Sequence, residues 1–247
     1  MLICGLNKTT LLDYPGKVAS TVFTGGCNFR CPFCHNKDLI LHPAEYASYT
    51  DEDVFAHLKK RAGILQGVCI TGGEPTMQKD LPDFLARCKN LGYAVKLDTN
   101  GTNPEMMKSL YKEGLVDYVA MDIKSGLSDY AKVAGLTGDH TQTLLSNIKE
   151  SVRFLMEDTR KNTDSSAFRS DFDFEFRTTV VKELHNTDAF MEISVWLAGA
   201  PHYFLQSYKD SEGVLMSGLS ACSKEELEGF ADIVRKRVPS VELRGVD

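Results

Sequence analysis

The sequence predicts an α/β fold of parallel strands, on two observations. Short apolar strands alternate with amphipathic helices in six strand–helix units joined by short connections. Turn-forming runs recur just past the strands, at residues 27–36, 72–76, 98–101 and 122–124. Units of this kind cross over right-handedly and gather their ligand sites at the C-terminal ends of the strands. A barrel or partial barrel suits them better than an open sheet, although periodicity alone does not separate the two.

In order along the chain, residues 17–23 (KVASTVF) read as the first strand. Residues 51–61 read as a helix, with Thr50 as N-cap and acidic residues in its first turn. Residues 68–71 (VCIT) form a buried strand that stops at Gly72-Gly73, and 80–90 a helix with Leu81, Phe84, Leu85 and Cys88 on one face. The strand at 94–97 ends in Asp98-Thr99-Asn100-Gly101. The helix at 104–113 opens on Pro104 and closes before Gly114. Next come a strand at 118–121 (YVAM), a helix at 143–156 and a polar, flexible loop at 158–170. The rest reads as a β-branched strand at 172–181, a helix at 188–197, a strand at 202–207, a helix at 224–237 capped by Ser223, and a short strand at 241–243. No repeat or interdomain linker interrupts this order, so 1–247 reads as a single domain with 1–16 as an N-terminal segment.

Of the 247 residues, 43% are hydrophobic and 25% charged, which excludes collagen-like, long disordered and coiled-coil chains. The net charge of −6 gives no support to nucleic-acid binding. No apolar run approaches the roughly 20 residues of a membrane span, and the N-terminus lacks the basic-then-apolar order of a secretory signal. The seven cysteines are an odd set for a disulfide framework and suggest reduced thiols in the cytoplasm.

Three of those thiols, Cys27, Cys31 and Cys34, fall in one loop, Gly25-Gly26-Cys27-Asn28-Phe29-Arg30-Cys31-Pro32-Phe33-Cys34-His35-Asn36. Three close thiolates suit a soft metal or an iron–sulfur cluster. Such clusters usually take four cysteines, so three leave one position open for a reacting ligand. The alternative is structural zinc with His35 or a distant cysteine as fourth ligand, although adjacent Cys34 and His35 are awkward on one ion and the usual pairwise spacing is missing. Cys69 and Cys88 read as core residues, and Cys4 and Cys222 have no assigned role.

The spacing Cys-x3-Cys-x-aromatic-Cys, with Phe33 as the aromatic, resembles the radical S-adenosylmethionine (SAM) superfamily. Cys34-His35-Asn36, Gly72-Gly73-Glu74-Pro75, Leu97-Asp98-Thr99-Asn100-Gly101 and Met121-Asp122-Ile123-Lys124 are similar to motifs of the glycyl-radical-enzyme activases. Leu12-Asp13-Tyr14-Pro15-Gly16-Lys17 and residues 175–181 (EFRTTVV) extend the likeness to nearly the whole chain, most closely to the activases of anaerobic ribonucleoside-triphosphate reductase.

The resemblance implies a partial (βα)6-type radical SAM barrel. It also implies one [4Fe–4S] cluster on Cys27, Cys31 and Cys34, with SAM chelating the fourth iron. An oxidoreductase of this kind takes an electron from flavodoxin or ferredoxin and cleaves SAM to a 5′-deoxyadenosyl radical. The radical takes a hydrogen atom from a glycine of a partner enzyme, in anaerobic cells. The alternatives are activation of another glycyl radical enzyme, of the pyruvate formate-lyase kind, or action on a small molecule.

The implied cofactor contacts are Phe33, Asn36, Gly72, Gly73, Glu74, Asp98, Asn100, Asp122, Lys124 and Arg177. Glu74 would meet the SAM ammonium, and Arg177 the carboxylate or a neighbouring acid. Asp98 and Asp122 are candidates for a monovalent cation, and Asp13 and Gly16 for the protein-substrate groove. Two features depart from the family: Tyr208-Lys209 stands where some activases carry histidine, and Lys182-Glu183 where Pro-Gly is common.

Overall fold

Eight strands make one sheet whose spatial order is the order of the chain. The computed structural model describes residues 1–158, 169 and 171–246. Its strands are β1 (Ile3–Thr10), β2 (Ala19–Thr24), β3 (Gly67–Gly72), β4 (Ala94–Thr99), β5 (Tyr118–Asp122), β6 (Asp173–Val180), β7 (Tyr203–Ser207) and β8 (Val241–Arg244). β1 runs antiparallel to β2, and every later pair is parallel. Among the described residues β1 and β8 are the two edges, and the barrel is open.

The helices are α1 (Lys37–Leu41), α2 (Pro43–Tyr46), α3 (Asp51–Lys60), α4 (Leu81–Asn90), α5 (Pro104–Lys112), α6 (Tyr130–Val133), α7 (Thr141–Arg153), α8 (Thr187–Trp196) and α9 (Lys224–Arg235). Strand side chains alternate between two faces. Val22, Ile70, Val95, Leu97, Val119, Met121, Phe174 and Phe176 pack with Phe55, Leu58, Phe84, Leu85, Leu110, Val152 and Phe190 of the helices in one core. The other face carries Thr21, Cys69 and Lys96 in mutual register, then Asp122 opposite Arg177. A sheet with apolar residues on one face and polar ones on the other is a shell around a polar interior. Its floor is closed by Tyr14, which clusters with Ala19, Tyr118 and Ala120.

The predicted α/β fold of parallel strands is present, with two differences. Residues 1–16, expected as a segment outside the repeat, contribute β1; an edge strand with its middle exposed carries little apolar alternation. The short helices α1, α2 and α6 were not predicted, since four or five residues show no helical period. The other elements fall within a few residues of expectation. The predicted loop at 158–170 lies, except near its ends, outside the described residues.

Candidate active site

One cavity of about 300 Å³ opens where the parallel strands end. It is lined by Cys27, Cys31, Cys34, Phe33 and Asn36 from the loop after β2, Gly72, Gly73 and Glu74 after β3, and Asp98 and Asn100 at the end of β4. Asp122 and Lys124 at the end of β5 and Arg177 from β6 complete the set, so every predicted cofactor contact meets there, whereas Asp13 and Gly16 do not line the cavity. The volume is at the lower end of the range for small-molecule sites.

The cysteine loop has almost no repetitive structure and is held by its neighbours. Arg30 donates to the carbonyls of Cys27 (2.6 Å) and Phe29 (2.7 Å), and the Arg30 amide donates to Ala134 O. Met216 N donates to Pro32 O and Leu215 N to Cys34 O. The Asn36 side chain donates to Gly72 O at 2.9 Å, which ties the loop to β3. Burial raises the Cys27 thiol to about 12 and the Cys31 thiol to about 11, and also raises Cys34. Donors already face the sulfur of Cys27: Phe29 N at 3.4 Å and the Asn100 amide at 3.8 Å.

These residues fit the cluster that the resemblance implies. Three soft donors line a cavity that no fourth cysteine lines. The Nε2 of His35 lies 2.6 Å from Lys209 O and its ring packs on Tyr208, so the histidine of the zinc alternative is engaged elsewhere. Lys124, with its ammonium 6.0 Å from the Phe33 ring, adds positive charge beside the thiols.

Glu74 is 1% exposed, and its carboxylate ties two strand ends together. Its Oε1 accepts from Thr76 N (3.1 Å), Thr76 Oγ1 (2.6 Å) and Thr99 Oγ1 (2.7 Å), and Oε2 accepts from Asn100 N (2.7 Å). Burial still raises its pKa. Oε2, with one donor, retains capacity towards the cavity. The amide of Asn100 in turn donates to Asn28 (2.8 Å), whose own amide donates to Thr102.

Across β4, β5 and β6 runs a row of alternating charge. Lys96 bonds Asp98, Arg177 bonds Asp98 (3.1 Å) and Asp122 (2.5 Å), and Lys124 bonds Asp122 (2.8 Å). Burial alone would raise both carboxyls. Arg177 with Lys96, and Arg177 with Lys124, outweigh it and lower Asp98 and Asp122. Desolvation works against the Lys124 ammonium, but Asp122 raises it further. Sequence reasoning missed Lys96, Asn28, Thr99 and the cavity-lining Thr179 and Gln206. Lys96 carried a readable signal: a cation in an apolar strand, two residues before Asp98 and therefore on its face.

Residues 21–158 match the family described as the radical SAM superfamily. Over 249 residues, covering 100% of the chain and 97% of the relative, the chain is 30% identical to a protein of Methanocaldococcus jannaschii provisionally named a glycyl-radical enzyme activating enzyme. The pyruvate formate-lyase-activating enzyme of Streptococcus mutans is 32% identical over 145 residues, 55% of the chain and 54% of that protein. SuiB of Streptococcus suis, solved with S-adenosylmethionine bound, superposes with a TM-score of 0.64 over 90% of the chain and 49% of its own, at 14% identity, which is a likeness of fold.

Proposed function

The chain belongs to the radical SAM superfamily and, within it, to the glycyl-radical enzyme activating enzymes, and from that membership we propose that its strand-end cavity serves to activate an anaerobic ribonucleoside-triphosphate reductase. Enzymes of this family use a [4Fe–4S] cluster and SAM, which, when bound, supply a 5′-deoxyadenosyl radical able to take a hydrogen atom from glycine. Cys27, Cys31 and Cys34 would hold the cluster, and the open side of the cavity would take SAM. Gly72 and Gly73 let the end of β3 approach a ligand by its backbone. Asp98, Asn100, Asp122, Lys124 and Arg177 present paired charges suited to a zwitterionic, ribose-bearing molecule, with Glu74 behind them. Phe33, Phe29 and Ile40 shield the cavity from water on the loop side.

The observation that carries this reading is the convergence of the three thiols and the charged ends of β4, β5 and β6 on one cavity. A relative of matching length named for glycyl-radical activation supports a protein substrate over a small molecule. The reading takes 1–247 as one domain in the cytoplasm, with flavodoxin or ferredoxin as reductant. Among the described residues no helix is long and apolar enough to cross a membrane.

The test is anaerobic reconstitution followed by incubation with SAM, reductant and candidate partners. The expected result is close to four irons per chain, loss of SAM cleavage in Cys31→Ala, and a glycyl radical doublet by electron paramagnetic resonance with the reductase. SAM cleavage that survives Cys31→Ala overturns the site. SAM cleavage with a doublet only on a pyruvate formate-lyase-type partner reassigns the substrate.

A further inference from the structure

Lys96 is the buried cation that no sequence motif contains. It is 2% exposed, in the middle of β4, and faces the barrel interior beside Cys69 of β3 and Tyr118 of β5. Its ammonium bonds Oδ1 of Asp98 and lies 3.9 Å from the Cys69 sulfur. The other oxygen of Asp98 is held by Arg177, which also holds Asp122. Without Lys96, one guanidinium would stand between two buried carboxylates, and Asp98 would lose half of its counter-charge. Asp98, Arg177, Asp122 and Lys124 line the cavity, and Lys96 does not. It therefore acts on a ligand only through Asp98.

We infer that Lys96 is a positioning residue: it supplies from within the chain the cation that fixes Asp98 against Arg177, and so makes ligand binding in the cavity independent of dissolved monovalent cations. The inference rests on the reading that the cavity takes SAM. A buried carboxylate stripped of its ammonium keeps a strong demand for positive charge. Truncation at Lys96 leaves a carboxylate-lined space of the right sign for potassium, rubidium or a small alkylammonium ion.

The experiment compares wild type, Lys96→Ala and Lys96→Met. SAM affinity of the reconstituted proteins is measured by equilibrium dialysis in tetramethylammonium, potassium and ethylammonium buffers. Rubidium is located by anomalous diffraction in crystals of the cluster-free proteins. Wild type should bind SAM equally in all three buffers. Lys96→Ala should bind about 10-fold more weakly in tetramethylammonium, the scale on which loss of a group behind a ligand-holding residue shows. Potassium or ethylammonium should restore it, with rubidium beside Asp98. Lys96→Met, whose side chain fills the space without charge, should be weak in every buffer.

The inference fails if wild type needs potassium, or if Lys96→Ala is unchanged or equally impaired in all buffers. Wild type that binds no SAM removes the functional reading, while the rubidium site still decides the role of Lys96. If Lys96→Ala does not fold, wild-type affinity in Lys96→Met overturns the inference.

Discussion

An added Cβ at Gly73 would lie 1.9 Å from the carbonyl oxygen of Gly26, and one at Gly72 would lie 2.4 Å from the backbone of Thr24. Gly72 also has φ of +113°, which favours glycine. The end of β3 therefore runs against the entry to the cysteine loop, backbone on backbone, and Glu74 N donates to the same Gly26 oxygen at 2.8 Å. Cys27 follows at once. Gly73→Ala must push Gly26 aside, at a cost of about 1–3 kcal/mol for overpacking, and carry the Cys27 thiol with it. The expected outcome is lower iron and sulfide content after reconstitution and an earlier urea midpoint. Wild-type values of both would show that the close approach is not needed. Glu74 illustrates a balance of terms at the same scale. Burial disfavours its charge, but four donors point at its oxygens, and each donor left unpaired costs about 1–3 kcal/mol. Burial prevails in the net, since the pKa stays raised, but the four donors offset part of it, and only an acid offers acceptor oxygens on both sides to meet them.

Helix ends show which parts of the fold were readable from local chemistry. Thr50 and Ser223 each form a complete capping box, with Asp53 and Glu226 answering from the third helical position. Ser223→Ala should lower stability by about 1 kcal/mol and the melting temperature by about 2–4 °C, with SAM cleavage unchanged. A calorimetric scan and a cleavage assay check this, and altered cleavage would tie α9 to the site. Both caps were legible because a cap is fixed by residues three apart. The cysteine loop was legible through the identity of its ligand atoms, and Arg177 through its isolation among β-branched neighbours. Lys96 breaks the same rule in β4, but the four residues predicted there, 94–97, are too few to establish an apolar pattern for a cation to break. β1 was illegible because its partner lies across an eight-residue loop and its centre is exposed. The four donors on Glu74 come from two different strand ends, an arrangement that only the folded sheet creates.

For the molecule as a whole, an open barrel leaves β8 without a neighbouring strand on its outer side among the described residues, and ionic ties across the interior compensate. Arg244 of β8 reaches over β7 to grip Glu175 of β6 at 2.8 and 2.9 Å, stacking on Phe204 on the way, and Tyr118 of β5 donates to the same carboxylate. One layer nearer the cavity, the row from Lys96 to Lys124 joins β4, β5 and β6. Stability should therefore depend on pH through Asp98 and Asp122, whose folded-state pKa values lie below the unfolded value of about 3.9. A group lowered on folding contributes stability that is complete above its unfolded pKa and is lost as pH falls through the folded value. Arg177→Met removes the cation shared by both carboxylates but leaves Lys96 and Lys124. The loss at pH 7 should then be near the lower end for a broken buried pair, about 3 kcal/mol. As pH falls below the unfolded value towards the lowered folded values, wild type progressively loses the gain from Arg177, so by pH 3 the difference between the proteins should have shrunk in part. Urea unfolding of both at pH 7 and again near pH 3 measures it. A difference that stays constant with pH would mean that Arg177 stabilises the sheet by packing alone, and that the charge row does not hold the strand ends in place.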